Sequence, residues 1–412
     1  MNYGLLGEKL SHSFSKDIHN RIGGYSYELI EVAPGNLKKF MEDRRFKGIN
    51  VTIPYKQEVI PHLTYIDENA KAIGAVNTVI NREGLLCGYN TDFGGMKALL
   101  KKNGIEVCGK KTLILGTGGT SKTARAVLSS LGADEIYRVS RGGNEDAISY
   151  DEAYSAHADA DIIINTTPCG MYPDNYSVPI DISAFKNLSA VVDAIYNPLA
   201  SSLVLNARKM GITAVGGLYM LVAQAVLAAE YFTEVNYGES VIDSIYSEIL
   251  REKQNLVLVG MPGSGKTTVG KIAARYLSME FVDTDNLIEK EFKMPITEIF
   301  RKFGQEKFRE SECEIIKSVS KTGGKVISTG GGVVLREENV DALRSNGRIF
   351  FINRPLCDLI PTKSRPLADS KDKITELYNE RYPIYLAASD EKIDVVSDAK
   401  STAKLIESRW NV

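Results

Sequence analysis

The sequence predicts an α/β fold with more than one domain, on three observations. The chain has 412 residues, more than a single hydrophobic core usually organises. A short apolar run at 256–259 leads into the pattern G-x-x-x-x-G-K-T over 260–267, and apolar residues at helical spacing follow it. A second strand, glycine cluster and helix span 111–131. Units of strand, loop and helix build parallel sheets, so we expect such sheets in two separate parts of the chain.

Composition argues against two classes of partner. Charged residues make up 25% of the chain and the net charge is −2, so neither nucleic acid nor a membrane surface would be attracted by charge. The five cysteines are scattered without a C-x-x-C pair, which favours reduced thiols over disulfides or a zinc site. We find no signal-peptide pattern and no apolar run long enough for a bilayer. We therefore expect a cytoplasmic protein with small-molecule partners, and the sequence does not predict its oligomeric state.

Two hydroxyls and a lysine stand out in the first 60 residues. Ser13 and Ser15 lie two positions apart, so they face the same way if the backbone is extended, although serine near a helix start is more often a cap. A predicted strand over 48–53 is halted by Pro54, and Lys56 follows it. A lysine in that position is by default a solvated surface charge.

Asn77 and Asp92 each allow a structural and a functional interpretation. Asn77 stands within an otherwise apolar predicted strand, where it is either a structural bridge or a ligand contact. Asp92 precedes a predicted helix and would need no further explanation as its cap. Asp92 and Lys56 would instead form a proton-transferring pair if the fold brings them together.

The middle of the chain resembles a Rossmann dinucleotide-binding unit. The strand at 111–115 runs into G-x-G-G-x-S, although the spacing departs from G-x-G-x-x-G. The next predicted strand, 135–139, ends at Ser140 and Arg141, where an NAD site normally has a carboxylate. A cation at that position favours the extra phosphate of NADP, with NAD as the alternative.

Taken in order, these motifs resemble the shikimate dehydrogenase family. The segment 7–20 is similar to the family's opening pattern, except that lysines replace two prolines. N-V-T-x-P-x-K is present in full at 50–56, and G-A-x-N-T and N-T-D follow it. N-x-T-P-x-G-M at 165–171 and two further motifs extend the likeness to about residue 245. The sequence departs from the family's Asn-Arg-Thr at 140–142, which weakens the preference for NADP.

The resemblance implies reduction of the ring ketone of 3-dehydroshikimate by NADPH, with Lys56 donating a proton and Asp92 orienting it. It implies a substrate domain over 1–95 plus about 221–247, and a Rossmann NADP-binding domain over 96–220. The implied substrate-binding residues are Ser13, Ser15, Thr52, Asn77, Asp92, Tyr196 and Gln224. The implied cofactor-binding residues are Gly116, Gly118, Gly119, Thr120, Ser140, Arg141, Thr166, Met171, Gly217 and Met220.

The pattern over 260–267 is a phosphate loop in the context that this motif requires, between a strand and a helix. Its glycines let backbone N–H groups surround phosphate oxygens, and the helix N-terminus adds its dipole. Lys266 would reach the β- and γ-phosphates of ATP, and the Thr267 hydroxyl would hold Mg²⁺. The ATP-binding residues are Gly260, Gly263, Ser264, Gly265, Lys266, Thr267 and Thr268.

Charged residues beyond the loop provide a second group of candidates. Asp283 and Asp285 lie on one side if the backbone is extended, so that one would serve Mg²⁺ through water and the other would take a substrate hydroxyl. Arg309 lies on a predicted amphipathic helix, where a surface salt bridge is the simpler interpretation. A strand ends in three glycines at 330–332, where backbone can approach a ligand closely.

This array resembles the shikimate kinase family from about residue 255 to the end. D-x-D, F-R, G-G-G, R-P-L and R-x-P-x-Y occur in the family's order. The resemblance implies a P-loop domain over 255–412, a parallel sheet flanked by helices as in nucleoside monophosphate kinases, after a linker at 248–254. It implies catalytic roles for Lys266, Asp285 and the lid residue Arg365, with Thr267 and, through water, Asp283 at Mg²⁺. The implied shikimate-binding residues are Asp285, Arg309, Gly330, Gly331, Gly332 and Arg381.

Two departures from the kinase pattern and two rival functions are also visible. Gln305 replaces the family's glutamate, and the segment 354–365 is short, with no second lid arginine that we can place. Because the product of the first implied reaction is the substrate of the second, we interpret the chain as a bifunctional enzyme. The rivals are a different small-molecule kinase, such as one for gluconate, and a regulatory sensor that binds without turnover. The residues do not decide whether quinate is an additional substrate.

Overall fold

The computed structural model describes residues 2–10, 14–142, 146–360, 370–396 and 398–411. The chain divides into two compact units, Met1–Ile249 and Leu250–Val412. Among the described helices, none combines the length and the apolar character that crossing a bilayer would require.

The first unit begins with a six-stranded sheet in the order β2-β1-β3-β5-β6-β4. Strands β1, β2 and β3 are parallel, whereas β5 pairs antiparallel with both β3 and β6. Glu83 and Gly84 connect β5 to β6 with positive φ at both residues, as a two-residue hairpin requires. The elements are β1 (Tyr3–Gly7), α1 (Ser15–Ile22), β2 (Tyr27–Glu31), α2 (Leu37–Asp43), β3 (Gly48–Val51), β4 (Tyr65–Ile66), α3 (Glu68–Ile73), β5 (Thr78–Arg82), β6 (Leu85–Tyr89) and α4 (Thr91–Lys102).

A second, wholly parallel sheet follows in the same unit, in the order β11-β10-β9-β7-β8. The strands on either side of β7 are β8 and β9, so the strand order reverses at β7, where open α/β sheets bind ligands. Helix α8 then packs against α4 and α1. The elements are β7 (Lys111–Leu115), α5 (Gly119–Ser130), β8 (Glu135–Val139), α6 (Tyr150–Ala156), β9 (Ile162–Asn165), β10 (Ala190–Asp193), α7 (Ser202–Lys209), β11 (Thr213–Val215), α8 (Leu218–Thr233) and α9 (Gly238–Lys253).

The second unit is a parallel sheet in the order β13-β14-β12-β15-β16 with helices around it. All five residues of β12 are buried, and separate hydrophobic clusters cover the two faces of the sheet. The elements are β12 (Asn255–Val259), α10 (Lys266–Tyr276), β13 (Glu280–Asp283), α11 (Thr284–Phe292), α12 (Ile296–Ser320), β14 (Lys325–Ser328), α13 (Glu337–Ser345), β15 (Gly347–Asn353), α14 (Lys371–Ala388), β16 (Glu391–Asp394) and α15 (Ala399–Trp410).

The predicted fold class is confirmed in both units. The segment 248–254, predicted as a linker that includes the end of a helix, continues helix α9 as far as Lys253. Helix α12 is irregular at Gly304, whose φ of 82° and ψ of 170° break the helix. Gln305 follows this break on the exposed surface.

Candidate active sites

A cavity of about 350 Å³ in the first unit collects the predicted substrate-binding residues. It lies where β3 ends and α4 and α8 begin. Ser13 lies outside the described residues, and every other predicted member lines the cavity together with Lys56. The polar residues of the lining are Lys9, Ser15, Asn50, Thr52, Lys56, Asn77, Asp92, Tyr196 and Gln224.

Lys56 and Asp92 form an ion pair in this cavity. The distance from Lys56 Nζ to Asp92 Oδ2 is 2.6 Å, and the two side chains are 24% and 15% exposed. Asp92 does not cap helix α4, because the cap is Asn90, whose side chain accepts a hydrogen bond from the Phe93 N–H at 3.2 Å. The Asp92 carboxylate is therefore available to Lys56, and Lys56 is not the solvated surface charge that its sequence position suggests.

Asn77 lies just before β5 rather than within a strand, contrary to the sequence-based expectation. Its Oδ1 accepts a hydrogen bond from the backbone N–H of Thr91 at 2.7 Å, and its Nδ2 donates to Thr91 Oγ1 at 3.1 Å. Asn77 thus connects the start of β5 to the start of α4 and also lines the cavity. The structural and ligand-contact interpretations are compatible here.

Sequence reasoning missed the residues that support Asn77. Tyr27 donates from its hydroxyl to Asn50 Oδ1 at 2.7 Å, and Asn50 Nδ2 donates to Thr78 Oγ1 at 3.0 Å. Thr78 donates in turn to Asn77 Oδ1 at 3.1 Å. Asn50 opens the N-V-T motif, which was the available signal, whereas nothing near Tyr27 in sequence announces the contact. A buried hydrogen-bonded chain therefore holds the Asn77 amide in one orientation.

The predicted cofactor-binding residues follow the carboxyl ends of neighbouring parallel strands. Gly116 follows β7, Ser140 and Arg141 follow β8, and Thr166 follows β9. Gly116 has φ 105°, and a Cβ there would approach Thr166 Oγ1 to 2.9 Å, so glycine is needed at this turn. The first of these loops leads into α5, whose N-terminus is capped by Gly118. This is the arrangement at which α/β sheets bind dinucleotides.

The remaining predicted cofactor residues differ in exposure. Met171 is 47% exposed, whereas Met220 is buried in α8. Gly217 caps α8, and a Cβ there would collide with the Ala194 carbonyl oxygen. Thr166 Oγ1 donates to the Leu115 carbonyl at 2.6 Å, so its hydroxyl hydrogen is already used within the protein.

A second cavity, of about 400 Å³, lies beside the phosphate loop in the second unit. It collects most of the residues predicted for the kinase site. Gly260, Ser264 and Asp283 are not among the lining residues, and Arg365 lies outside the described residues. The predicted residues that line the cavity are Gly263, Gly265, Lys266, Thr267, Thr268, Asp285, Arg309, Gly330, Gly331, Gly332 and Arg381.

Lys266 is folded against its own loop. It is 7% exposed, and its Nζ donates to the carbonyl oxygens of Gly260 at 2.8 Å and Met261 at 3.0 Å. Gly260, Gly263 and Gly265 all have positive φ, so the loop depends on glycine at these positions. The ammonium group of Lys266 therefore lies at the loop where phosphate oxygens would bind.

The expectation that Asp283 and Asp285 share one side of an extended backbone is wrong, because α11 begins between them. Asp283 ends β13 and caps α11, and its Oδ2 accepts a hydrogen bond from Thr267 Oγ1 at 2.8 Å. Asp285 lies in the first turn of α11 and faces the cavity. Burial raises the pKa of Asp285 to about 6, the charge of Asp283 adds to that shift, and Lys266 opposes it.

Arg309 is buried rather than a surface cation. Its Nη1 donates to Glu312 Oε2 at 2.6 Å, and Glu312 itself is fully buried. Its guanidinium occupies the space that a side chain at Gly332 would need, which explains the glycine. Arg381 approaches from α14 and donates to the Gly331 carbonyl at 3.1 Å. Two arginines thus meet the three-glycine segment at one side of the cavity.

Glu312 is the cavity residue that sequence reasoning missed. Burial raises the pKa of its carboxyl, and the Arg309 charge opposes that rise. Its Oε1 is buried and has no hydrogen-bond partner in the described part of the chain. The available signal was its position three residues after Arg309, because residues three apart on a helix are neighbours.

Thr267 and Asp283 place two oxygen donors together at the phosphate loop. Mg²⁺ prefers oxygen ligands and usually keeps several waters and substrate phosphates. Within the described ranges, no group of three or more His, Cys, Asp or Glu side chains is arranged to hold a metal ion. The donor set therefore fits a metal that arrives with its nucleotide rather than one held in an all-protein site.

Together, the two sites define a dinucleotide-dependent oxidoreductase joined to a P-loop small-molecule kinase. Residues 5–79 match the shikimate dehydrogenase substrate binding domain, and residues 262–409 match shikimate kinase. The shikimate dehydrogenase (NADP(+)) of Clostridium beijerinckii is 38% identical over 261 residues, covering 60% of this chain and 96% of that protein. That of Geobacillus kaustophilus is 38% identical over 253 residues, covering 56% and 92%.

Solved structures agree with these relatives. A chorismate mutase/shikimate 5-dehydrogenase fusion protein from Clostridium acetobutylicum matches with TM-score 0.57 and 38% identity, covering 60% of this chain and 96% of that one. Shikimate 5-dehydrogenase from Thermus thermophilus, in complex with NADP(H) and shikimate, matches with TM-score 0.55 and 28% identity, covering 60% and 99%. The chain belongs to the shikimate dehydrogenase family, and a shikimate kinase domain follows its dehydrogenase part.

Proposed function

We propose that this chain catalyses two consecutive steps of the shikimate pathway. The first is reduction of 3-dehydroshikimate to shikimate with NADPH, and the second is phosphorylation of shikimate by ATP to give shikimate 3-phosphate. The observation that carries the proposal is that one chain contains two cavities with these two kinds of lining. One holds a Lys–Asp pair among hydroxyl-binding side chains, and the other holds two arginines and a buried aspartate beside a phosphate loop.

In the dehydrogenase site, Lys56 is the proton donor to the oxygen of the reacting ketone. The hydrogen bond to Asp92 orients its ammonium group. Gly116, Ser140, Arg141 and Thr166, which follow the carboxyl ends of β7, β8 and β9, would hold NADPH, and the cofactor would supply the hydride. Thr52, Asn77 and Gln224 bind the hydroxyls and carboxylate of the substrate from three different elements, and Ser15 and Tyr196 complete the polar lining.

In the kinase site, Arg309 and Arg381 bind the shikimate carboxylate, since guanidinium groups pair well with two carboxylate oxygens. Asp285 accepts the proton of the attacking hydroxyl, a role that suits a buried carboxyl with a raised pKa. Lys266 and the loop N–H groups bind phosphate oxygens. Thr267 would hold Mg²⁺, and Asp283 would contact it through water; the ion neutralises phosphate charge when bound.

The first test is mass spectrometry of the products formed from 3-dehydroshikimate, NADPH and MgATP. We expect shikimate 3-phosphate from the full chain, shikimate alone from Lys266→Met, and much slower conversion of 3-dehydroshikimate by Lys56→Met. Shikimate alone from the unmodified chain would contradict the kinase assignment, and no product from folded protein would contradict both.

We also place the protein in the cytoplasm, which supplies NADPH and ATP and keeps cysteine thiols reduced.

A further inference from the structure

Arg354 lies beside the phosphate loop. It directly follows β15, and its Nη2 is 3.8 Å from the position that a Cβ on Gly265 would occupy. Gly265 precedes Lys266 and caps helix α10. A guanidinium group therefore lies beside the residue that begins helix α10, and the N-terminus of a helix attracts phosphate groups.

The position of Arg354 relative to the loop is fixed by close backbone packing. A Cβ on Gly260, the first glycine of the loop, would approach the Ile352 carbonyl oxygen to 2.6 Å. Ile352 is fully buried, and Asn353 donates from Nδ2 to Asp394 Oδ1 at 2.6 Å on the neighbouring strand. The end of β15 and the loop are thus held together independently of the Arg354 side chain.

Arg354 has no structural partner in the described ranges. Its Nε is buried without a hydrogen bond, and the described residues offer it no ion pair. Arg348, on the same strand, shows the contrasting case: it pairs with Glu391 at 2.8 Å and donates to the Arg409 carbonyl at 3.0 Å. A buried donor that the protein leaves unsatisfied points to an anionic group brought by a ligand.

We propose that Arg354 binds an α- or β-phosphate oxygen of the kinase nucleotide, as a second cation beside Lys266. The inference rests on the proposed kinase function. The guanidinium fork suits phosphate because it offers parallel N–H donors and is always charged. In sequence, the short segment 354–365 left no second lid arginine to place, and Arg354 supplies a second cation from the strand end.

The test compares nucleotide binding by the full chain and by Arg354→Met, with MgATP, MgADP, AMP and adenosine as probes in titration calorimetry. Losing a charge-assisted hydrogen bond should weaken MgATP and MgADP binding about tenfold or more. We expect a smaller change for AMP and none for adenosine. Arg354→Lys should recover part of the loss, and Arg275→Met, exposed at the far end of α10, should bind as the unmodified chain does.

Unchanged MgATP affinity in Arg354→Met would overturn the proposal. Equal weakening for adenosine and MgATP would also overturn it, because Arg354 would then contact the base. If Arg354→Met does not fold, Arg354→Lys decides alone, with severalfold weaker MgATP binding expected and equal binding contradicting the proposal. If the unmodified chain neither binds MgATP nor phosphorylates shikimate, the proposed kinase function is wrong. If the unmodified chain is active and Arg354→Met binds MgATP equally well, only the role of Arg354 is wrong.

Discussion

At the scale of single residues, the dehydrogenase reaction depends most on Lys56. Replacing it with methionine removes the proton donor but keeps most of the side-chain volume. We expect the reduction rate of Lys56→Met to fall by about 10²- to 10⁴-fold, the usual contribution of a positioned acid. NADPH binding, followed by fluorescence titration, should be unchanged, because Lys56 lines the substrate cavity.

Lys71→Met is the matched control, since Lys71 is exposed in the last turn of α3. Its reduction rate should equal that of the unmodified chain. Phosphorylation of added shikimate should be normal in both variants. A Lys56→Met protein that reduces 3-dehydroshikimate at the normal rate would remove Lys56 from the mechanism.

Asp285 gives the kinase reaction a predicted pH dependence. Burial, with a further contribution from Asp283, raises its pKa to about 6. The carboxyl must be ionised to accept a proton, so the rate of phosphorylation should fall as pH drops below about 6, approaching tenfold per pH unit. Steady-state rates between pH 5 and 8 would show this acid limb.

Glu289→Gln distinguishes Asp285 from other groups that titrate in this range. The Glu289 charge contributes to raising the pKa of Asp285, and the residue is not part of the cavity lining. A glutamine keeps the oxygen that accepts the Ile296 N–H. We expect the acid limb to move to lower pH in this variant, and a limb that stays in place would assign the titration to another group.

Individual residues also show why the sites were only partly predictable. Local sequence reveals Lys56, Asp92 and Lys266, because each stands at a position of a recognisable motif. It does not reveal Tyr27, because the contact of Tyr27 with Asn50 forms only after distant elements pack. Glu312 shows its spacing from Arg309, but local sequence does not show its burial under the three-glycine segment. Burial of this kind has no signature within a short window of sequence.

At the scale of elements, the strands flanked by glycine loops were predicted best. The predicted strands at 111–115 and 135–139 coincide with β7 and β8. Strand β7 is a short, largely buried apolar run, as expected of a central parallel strand. Strand β8 lies at the sheet edge and is mostly half-buried. The geometry at 283–285 was wrong, because a helix begins at Thr284 where an extended backbone was assumed. The cap was the missed signal, since aspartate before a helix start is a preferred N-cap.

Helix α1 carries a buried histidine that makes the first unit sensitive to acid. His19 stacks on Tyr27 with ring centroids 3.9 Å apart, and its Nδ1 lies 2.6 Å from the Tyr25 hydroxyl. Burial lowers the pKa of His19 to about 3, against a partial opposing effect of Asn50. The unfolded chain therefore binds a proton that the folded chain excludes.

This difference predicts that the first unit loses stability as pH falls from about 6.5 toward 3, by up to about 1.4 kcal/mol per pH unit. Asp193, whose pKa burial raises to about 6, acts in the opposite direction between 3.8 and 6. Comparing the unmodified chain with His19→Phe, which cannot titrate, isolates the histidine. The measurement is the urea midpoint for loss of dehydrogenase activity at pH 7 and pH 5.

Trp410 provides the internal control for that experiment. It is the only tryptophan of the chain and is buried in the second unit, so its fluorescence follows unfolding of the kinase part. We expect His19→Phe to reduce the pH dependence of the dehydrogenase midpoint and to leave the Trp410 transition unchanged. An identical pH dependence with and without His19 would show that the histidine does not govern acid stability.

At the scale of the whole molecule, each unit has its own sheets, hydrophobic clusters and candidate site. The described residues that line the cavity of the first unit all belong to Met1–Ile249, and those that line the cavity of the second all belong to Leu250–Val412. We therefore expect fragments 1–253 and 250–412 to fold separately, with rates within about twofold of those of the full chain. Fragment 1–253 keeps the whole of helix α9, whereas fragment 250–412 keeps only its end, residues 250–253. An inactive, unfolded fragment would show that the units depend on each other.

The same fragments test whether fusion couples the two reactions. If shikimate leaves the first site before it enters the second, shikimate 3-phosphate appears after a lag set by the accumulation of free shikimate. Because the described lining of each cavity comes from a single unit, we expect the same lag from the full chain and from an equimolar mixture of fragments. Stopped-time mass spectrometry of both products would measure it. A shorter lag in the full chain would mean that shikimate passes from the first site to the second without release into solution. The two units would then cooperate in a way that separate enzymes do not.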